Sequence, residues 1–182
     1  MMNFVPLTLV GSYEITPSVL TDSRGWFART YCKDEFAAIG HVKEWVQLNH
    51  SFTTHKGTIR GMHYQLPPHT EIKMVKCIAG AVYDVIIDLR EGSPTFLQWY
   101  GTQLSAVNKK MLYIPEGFAH GFQTLEDNCE LIYHHSATYT PGFEAGIKYD
   151  EPRVNIHWPL VVTEISHRDE QFLLISPDFK GI

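Results

Sequence analysis

The sequence predicts an all-β fold, in which antiparallel strands form a sandwich that closes around a pocket. Apolar, partly β-branched runs of strand length dominate the middle of the chain. Turn residues separate these runs at about the spacing typical of sandwiches and barrels. The chain has 182 residues, 44% hydrophobic and 19% charged, with no repeat or linker. These values favour one folded domain over residues 1–182.

The strands can be assigned in chain order. Met74 to Ile78 is a short apolar run, and Ala79-Gly80 follows it as a turn. Ala81 to Leu89 is a longer run, closed by the turn chemistry of residues 90–94. Further strands are predicted at Thr95 to Leu104, Lys110 to Ile114, Gly121 to Leu125 and Glu130 to His135.

Helical signals are few and short. Asp34 to Ile39 is predicted as a short helix, because Gly40 supplies a C-terminal stop. After Pro159 we expect a short strand, a turn at Ser166 to Asp169 and a small helix. The fold class is therefore β throughout, with a few short helices at its edges.

Composition excludes several classes of function. The formal net charge is −5, which argues against a general nucleic-acid or membrane-surface binder. No apolar run is long enough to span a bilayer, and the first residues do not resemble a secretory signal. Three scattered cysteines, Cys32, Cys77 and Cys129, fit reduced thiols. We therefore expect a cytoplasmic protein.

The motif Arg60-Gly61-Met62-His63-Tyr64-Gln65 places an imidazole beside a guanidinium and a phenol. His63 could be a metal ligand, a proton-transferring base or a hydrogen-bonded core residue. A second motif, from Pro115 to His120, has the pattern P-x-G-x-x-H. It resembles the second signature of the cupin barrels, whose first signature supplies H-x-H and a glutamate as metal ligands. That resemblance implies a double-stranded β-helix, or jelly-roll, barrel.

The metal ligands of that signature are largely replaced in this chain. Gln65 stands where the second histidine would be, and Lys73, seven residues before Gly80, stands where the glutamate would be. A divalent cation favours neutral imidazoles and carboxylates, and an ammonium group repels it. The sequence thus predicts a cupin frame without a metal site, in which Lys73 supplies a fixed positive charge.

Taken together, the motifs resemble the dTDP-4-dehydrorhamnose 3,5-epimerase family of sugar-nucleotide epimerases over nearly the whole chain. The matching segments are residues 22–27, 47–49, 56–65, 85–96, 114–122, 156–159 and 166–169, with Tyr133, Tyr139 and Glu144. Their order and spacing carry the resemblance, since each segment alone is weak. The family's members are homodimers that use neither a metal nor an organic cofactor.

The resemblance implies a role for each matching residue. His63 corresponds to the general base, Asp169 to its carboxylate partner and Tyr133 to the general acid. Lys73 and His120 correspond to residues around the keto sugar, and Arg60 to one that contacts the diphosphate. The other implied substrate-binding positions, some reaching a neighbouring subunit's site, are Arg24, Arg29, Gln47, Asn49, Tyr139, Glu144 and Arg168.

These residue types suit the reaction that the resemblance implies. The substrate class is a nucleoside-diphosphate 4-keto-6-deoxyhexose, in which the ketone at carbon 4 acidifies the protons on carbons 3 and 5. Inverting either carbon requires a base on one face and an acid on the other. An imidazole held by a carboxylate suits the first task and a phenol the second. A lysine ammonium stabilises the enolate oxygen, which a metal would otherwise do.

Plainer interpretations remain open for several of these residues. Asp169 could be a turn or helix-cap residue, and Tyr133 and Tyr139 could be ordinary strand aromatics. Arg60 could form a surface ion pair, and Glu144 lies in what reads as plain loop. His134, His135 and His167 are expected to be exposed and have no assigned role.

Three features depart from the family pattern. Arg29 stands where the pattern R-G-x-F-x-E has a glutamate, at the nucleoside end of the substrate. A guanidinium only donates hydrogen bonds, so it fits the N3 acceptor of cytosine better than the N3–H of thymine. This favours the hypothesis that Arg29 loosens or switches base preference toward a CDP-sugar; alternatively, Arg29 faces solvent. The interval from Asn49 to Arg60 is one residue longer than in the family pattern, around residues 54–56. Arg168 stands where lysine is common before the aspartate.

Four functions stay open at this level. The leading prediction is epimerisation at carbons 3 and 5, from dTDP-4-dehydro-6-deoxyglucose to dTDP-4-dehydrorhamnose. Epimerisation at one carbon alone would use the same base and acid. A non-catalytic sugar-nucleotide-binding cupin would need the pocket but not His63, Asp169 and Tyr133. A metal-dependent cupin oxygenase is disfavoured by Gln65 and Lys73.

Overall fold

The computed structural model describes residues 1–182, and two large sheets of six strands each dominate it. The first sheet has the order β1-β2-β10-β7-β12-β5. Its strands are β1 (Met2–Pro6), β2 (Tyr13–Pro17), β5 (Gln47–Thr53), β7 (Lys73–Ala79), β10 (Met111–Ile114) and β12 (Cys129–His135). All its neighbouring strands are antiparallel.

The second sheet has five strands in the order β13-β6-β11-β8-β9 and a sixth at its side. The five are β6 (Thr58–Gln65), β8 (Ala81–Asp88), β9 (Trp99–Ser105), β11 (Phe118–Thr124) and β13 (Glu144–Gly146). The sixth is a two-residue strand, β14 (Glu164–Ile165), which adds to β6 in parallel. The strands β3 (Val19–Asp22) and β4 (Gly25–Ala28) form a separate hairpin.

The main core lies between the two sheets. Its buried side chains come from strands of both, among them Val75 on β7, Ile86 on β8 and Leu131 on β12. Because side chains alternate across a strand, every second residue of these strands faces the interior. The all-β jelly-roll prediction is confirmed by this arrangement. No helix of the chain is long and apolar enough to cross a membrane.

Four of the predicted strands lie close to the observed ones, whereas two begin at different residues. The predicted strand at Thr95 begins instead at Trp99. The Asp88 carboxylate accepts hydrogen bonds from the Ser93 and Thr95 hydroxyls, which holds residues 93–95 in a turn. The strand predicted from Gly121 begins three residues earlier, at Phe118.

The helices and one loop also differ in detail. The first helix, α1, spans Lys33–Ala37. The second, α2, spans His167–Glu170, where the sequence predicted a turn followed by a helix. The Ser166 hydroxyl accepts a hydrogen bond from the Asp169 backbone N–H and caps the helix, so the helix begins directly after Ser166. The predicted loop around Glu144 is in fact the short strand β13, paired with β6.

Candidate active site

The interior rows of several strands change from apolar to polar at one end of the molecule. On β12 the inward row runs Cys129, Leu131, Tyr133, His135, and on β7 it runs back from Cys77 through Val75 to Lys73. His63 on β6 and His120 on β11 are register partners on the opposite sheet. Since both sheets contribute, a cavity of about 250 Å³ lies between their polar ends. It is lined by Asn49, Ser51, Arg60, His63, Lys73, His120, Phe122, Tyr133 and His135.

His63 is paired with the Asp169 carboxylate. The two groups lie 2.7 Å apart, from His63 Nε2 to Asp169 Oδ1. The Asp169 side chain is 5% exposed and the His63 side chain 38% exposed. The carboxylate thus sits behind the imidazole, which leaves one edge of the ring open to the cavity.

Two further hydrogen bonds hold Asp169 in place. The Gly61 backbone N–H donates to its second oxygen at 3.0 Å, and its own N–H donates to the Ser166 hydroxyl. Burial by itself raises the pKa of this carboxyl. The hydrogen bond and the charge of His63 outweigh burial, together with hydrogen bonds from the Gly61 N–H and the Ser166 hydroxyl. The net effect is a lowered pKa of Asp169. An ionised carboxylate therefore faces the imidazole.

Tyr133 reaches the cavity from the first sheet. Its phenol oxygen lies 2.9 Å from the Ser51 hydroxyl on the neighbouring strand β5. Its ring lies edge-on to His120, with 6.2 Å between the ring centroids. Burial raises the pKa of Tyr133 far above its ordinary value, although the Ser51 hydrogen bond opposes this. The phenol therefore keeps its proton at neutral and moderately alkaline pH.

His120 also has a carboxylate partner that sequence reasoning missed. Its Nε2 lies 3.0 Å from both oxygens of Asp84, a fully buried residue of β8. Asp84 interrupts the apolar run of β8 from Ala81 to Ile87 and faces the core. A buried acid needs a partner, so an aspartate within an apolar strand of the sequence could have indicated a buried pair.

Lys73 contacts a second pair of residues that the sequence did not reveal, Glu71 and His135. Its Nζ lies 3.0 Å from Glu71 Oε1, and Glu71 Oε2 lies 2.7 Å from His135 Nδ1. The expectation that His135 is exposed is wrong, because the residue is 8% exposed and lines the cavity. The alternation along β12 placed His135 on the same face as Leu131 and Tyr133, which was the signal available. His134 is partly buried, and His167 is exposed as expected.

Most of the remaining predicted residues form the rim. Gln47, Tyr139, Glu144 and Arg168 line a pocket continuous with the first through the shared His63, Lys73 and His135. The Tyr139 hydroxyl donates to Glu144 at 2.9 Å. Arg60 is exposed, and its guanidinium donates to the Phe52 carbonyl. Eleven of the thirteen predicted site residues therefore lie around one opening.

Arg24 and Arg29 lie outside this opening. Arg24 is at the tip of the β3–β4 hairpin and pairs with Asp22. Arg29 forms an ion pair with Glu35 at 3.1 Å, and its side chain is 60% exposed. Within one chain neither arginine lines the cavity.

Gln65, the replacement for a metal-binding histidine, has a structural use. Its side-chain oxygen accepts from the Thr140 N–H at 2.9 Å, and its amide nitrogen donates to the His69 carbonyl at 3.1 Å. The amide thus joins the loop after β6 to the loop that carries Tyr139. No group of three or more His, Cys, Asp or Glu residues is arranged to hold a metal ion.

Comparison with known proteins agrees with this geometry. A family model described as dTDP-4-dehydrorhamnose 3,5-epimerase matches residues 6–176. The dTDP-4-dehydrorhamnose 3,5-epimerase of Shigella flexneri is 42% identical over 169 residues, which is 92% of this chain and 93% of that protein. A dTDP-4-dehydrorhamnose 3-epimerase of Streptomyces niveus is 40% identical over 176 residues, with coverages of 96% and 84%.

A solved structure is similar over almost the same extent. It is a dTDP-6-deoxy-D-glucose-3,5-epimerase from Legionella pneumophila in complex with dTDP-4-keto-L-rhamnose, with a TM-score of 0.91 and 37% identity. The superposition covers 96% of this chain and 93% of that one. Since the sequence match and the fold both extend over nearly all residues, the chain is an isomerase that belongs to the dTDP-4-dehydrorhamnose 3,5-epimerase family.

Proposed function

We propose that this chain epimerises dTDP-4-dehydro-6-deoxyglucose at carbons 3 and 5 to dTDP-4-dehydrorhamnose, without a metal or an organic cofactor. One observation carries the proposal: a carboxylate-held imidazole and a buried phenol enter the same cavity from opposite sheets. This is the arrangement that inversion at a carbon beside a ketone requires. The names and the bound ligand of the related proteins support the choice of substrate.

His63 is the base in this scheme. The ionised Asp169 accepts a hydrogen bond from Nε2, so Nδ1 is the ring nitrogen left to take a proton from carbon 3 or 5. As the ring becomes an imidazolium, the buried carboxylate at 2.7 Å stabilises its charge. Asp169 thereby orients the ring and supports it electrostatically, without taking the proton itself.

Tyr133 is the acid in this scheme. It projects from β12 of the first sheet, whereas His63 projects from β6 of the second. A sugar ring between the sheets would present one face to each residue. The phenol, protonated because burial raises its pKa, then delivers a proton to the face opposite the one that His63 deprotonated.

Lys73 stabilises the ketone oxygen in this scheme, and His120 lies beside it. Both line the cavity beside Tyr133, from β7 and β11. Removing the proton from carbon 3 or 5 moves negative charge to the oxygen on carbon 4. The preorganised ammonium of Lys73 stabilises this charge, and the loss of one such donor typically costs about a hundred- to a thousandfold in rate.

The rim binds the nucleoside diphosphate in this proposal. Arg60 and Arg168 supply positive charge for phosphate, and Gln47 and Asn49 supply amide hydrogen bonds.

We further propose a cytoplasmic homodimer in which the β3–β4 hairpin carries Arg24 and Arg29 to the partner's opening. The exposed Trp26 and Phe27 beside Arg24 support the dimer. The three free cysteines support the cytoplasmic location. A monomer in sedimentation analysis would contradict the dimer.

Turnover in heavy water tests the reaction. The substrate dTDP-4-dehydro-6-deoxyglucose is incubated with enzyme in D₂O, and NMR locates deuterium and configuration at each carbon. The proposal requires deuterium and inversion at both carbons 3 and 5. A His63→Ala variant that still turns over would refute the scheme and favour a sugar-nucleotide-binding protein without catalysis.

A single-carbon epimerase is the second candidate. The observation that favours it is the 40% identity to the Streptomyces niveus 3-epimerase, which is close to the identity with the 3,5-epimerases. One base and one acid serve either reaction, so the catalytic residues do not distinguish them. In the same experiment, label confined to carbon 3 would establish this alternative.

A further inference from the structure

The cavity wall contains a chain of polar side chains in which Glu71 and His135 have no role in the catalytic scheme. It runs from Lys73 through Glu71, His135, Asn49 and Gln47 to the backbone of Tyr139. The successive separations are 3.0, 2.7, 3.2, 3.2 and 3.0 Å. The pairing of the strands explains the proximity, because His135 is the register partner of Gln47 on β5 and of Lys73 on β7.

A backbone amide fixes the direction of every hydrogen bond in this chain. The Tyr139 N–H can only donate, so the Gln47 atom that it meets is the side-chain oxygen. The amide nitrogen of Gln47 must then donate to Asn49 Oδ1. Asn49 Nδ2 is consequently the atom that faces His135 Nε2, and it donates there.

The same reasoning determines the tautomer of His135. Since its Nε2 accepts from Asn49, the ring proton lies on Nδ1, which donates to Glu71 Oε2. The other Glu71 oxygen accepts from the Lys73 ammonium. An ammonium has three N–H donors, and Glu71 occupies one of them. The other tautomer of His135 would set two donors against each other at Asn49.

We propose that Glu71 and His135 are positioning residues, which aim the Lys73 ammonium into the cavity and couple it to the loop that carries Tyr139. The side chains of Lys73, Glu71 and His135 are 11%, 8% and 10% exposed, so water competes little for these contacts. The ionised state of Glu71 fits this role. Burial raises its pKa, but His135 and Lys73 together lower it further than burial raises it. The inference rests on the proposed function for the role of Lys73.

NMR of the nitrogen-15-labelled full chain tests the hydrogen-bond directions without any variant. We expect a proton on His135 Nδ1 and an unprotonated Nε2. A proton on Nε2 would overturn the chain of donors. In Glu71→Gln the Tyr139 amide resonance should also shift, because its bond lies four links away in the same network; an unchanged resonance would overturn the coupling.

Kinetics test the positioning role. A displacement of about 1 Å can cost about a hundredfold in rate, so Glu71→Gln should lower kcat about 10- to 100-fold with little change in KM. His135→Phe breaks the contacts on both sides and should lower kcat and raise KM. His135→Asn should recover kcat but not KM, because the shorter amide reaches Glu71 at the Nδ1 position but not Asn49.

A matched control is available outside the site. His50 and Glu130 form a histidine–glutamate contact of the same 2.7 Å length on the other face of β5 and β12. Glu130→Gln should change kcat less than twofold. Equal kcat losses in Glu71→Gln and Glu130→Gln would overturn the proposal, since they would show a general loss of stability.

Lys73→Ala separates this inference from the proposed function. An inactive Lys73→Ala beside a fully active Glu71→Gln would overturn the positioning role alone. Normal turnover in Lys73→Ala would overturn the role of Lys73 in the reaction and, with it, the kinetic part of this inference. The NMR measurements do not depend on turnover and would still decide the hydrogen-bond chain.

Discussion

Three basic side chains of the cavity each lie beside a buried carboxylate. His63 pairs with Asp169, His120 with Asp84 and Lys73 with Glu71, over distances of 2.7 to 3.0 Å. Charges that are buried without partners would cost several kcal/mol each, so the pairs make it possible to keep polar groups in the interior. They also fix the orientation of each side chain that the proposed mechanism uses, and they leave the rim arginines available for the proposed phosphate contacts.

Tyr133→Phe separates the two proton transfers. Without the phenol, His63 can still remove a proton and return one to the same face, so deuterium should enter the substrate from D₂O without inversion. The rate of inversion should fall about a hundred- to ten-thousandfold, the usual contribution of a positioned acid. NMR of the recovered sugar measures both labelling and configuration.

The control for this variant is Ser51→Ala, which removes only the hydrogen bond to the phenol. That hydrogen bond lowers the pKa of Tyr133, so its removal raises the pKa further and leaves the phenol protonated. Inversion should persist at a reduced rate. Unimpaired inversion in Tyr133→Phe would show that another group is the acid.

Arg29→Glu tests the hypothesis on base preference. In the structure the guanidinium pairs with Glu35, whose other oxygen accepts from the Met2 N–H. We therefore expect the wild type to bind dTDP more tightly than CDP, and the variant to retain that preference. Calorimetric titration with both nucleotides measures it. A wild type that prefers CDP, with the preference reversed in the variant, would instead establish Arg29 as the residue that reads the base.

The residues that the sequence revealed and those that it hid differ in one physical respect. His63 and Asp169 stand within matching segments, Lys73 stands at a signature position, and the family resemblance indicated Tyr133. Glu71, Asp84 and His135 act through partners on other strands, 64 residues away in the case of Glu71 and His135. Strand alternation indicates which face of the sheet a residue occupies, but the pairing register decides which residue it contacts. That register cannot be read from a single sequence.

At the scale of elements, the approach of β6 to β11 sets the position of His63. Gly61 has a φ of +130°, and a Cβ there would lie 2.6 Å from Gly121 Cα and 2.9 Å from the His120 carbonyl oxygen. The Gly61 N–H also donates to Asp169. Only glycine permits this backbone conformation and this close contact without strain.

Gly61→Ala should therefore reduce stability and activity together. The strained backbone and the steric contact should each cost about 1 to 3 kcal/mol. The shift of β6 should also lengthen the His63–Asp169 contact and lower kcat. Urea unfolding and steady-state kinetics provide the two measurements.

Gly92→Ala is the matched control, because Gly92 has a φ of +72° but a Cβ there would meet no atom within 4 Å. It carries the backbone strain alone, so it should cost about 1 kcal/mol and leave kcat unchanged. If the two variants were equally stable and active, close packing of β6 on β11 would not determine the geometry of His63.

Element boundaries were predictable where the apolar pattern alone decides them. The strand that starts at Ala81 is apolar except for Asp84 and Asp88, and its predicted start is correct. The segment from Thr95 has strand-like residues, but hydrogen bonds from Ser93 and Thr95 to Asp88 hold its first part in a turn. Side-chain contacts of this kind override local propensity and are not visible as a pattern.

At the scale of the whole molecule, the two facing sheets place His63 and Tyr133, the proposed base and acid, on opposite sides of the cavity. The sequence predicted the class of fold from strand runs and turns. It could not show from those runs that β6 and β12 would face each other, because that depends on the pairing of strands distant in sequence. The resemblance to a family supplied what the pattern could not, namely which histidine and which tyrosine to consider together.

Asp88 links the stability of the whole fold to pH. It is fully buried, and it accepts hydrogen bonds from Arg90, Ser93 and Thr95 in the turn that joins β8 to β9. Burial raises the pKa of this carboxyl, but the hydrogen bonds outweigh burial and lower it from 3.8 to about 2. A lowered pKa means that the native state favours the ionised form, so this stabilisation is complete above 3.8 and is lost as the pH falls through about 2.

Asp88→Asn should therefore be less stable than the wild type at pH 7 by about 2 kcal/mol, the equivalent of the pKa difference. The gap should narrow as the pH falls from about 4 to about 2, since protonation removes the same charge from the wild type. Urea unfolding of both proteins across this range measures the gap. Exposed Asp150 provides the control, because Asp150→Asn should leave stability unchanged at every pH. A gap for Asp88→Asn that stays constant with pH would mean that the charge of Asp88 does not stabilise the fold.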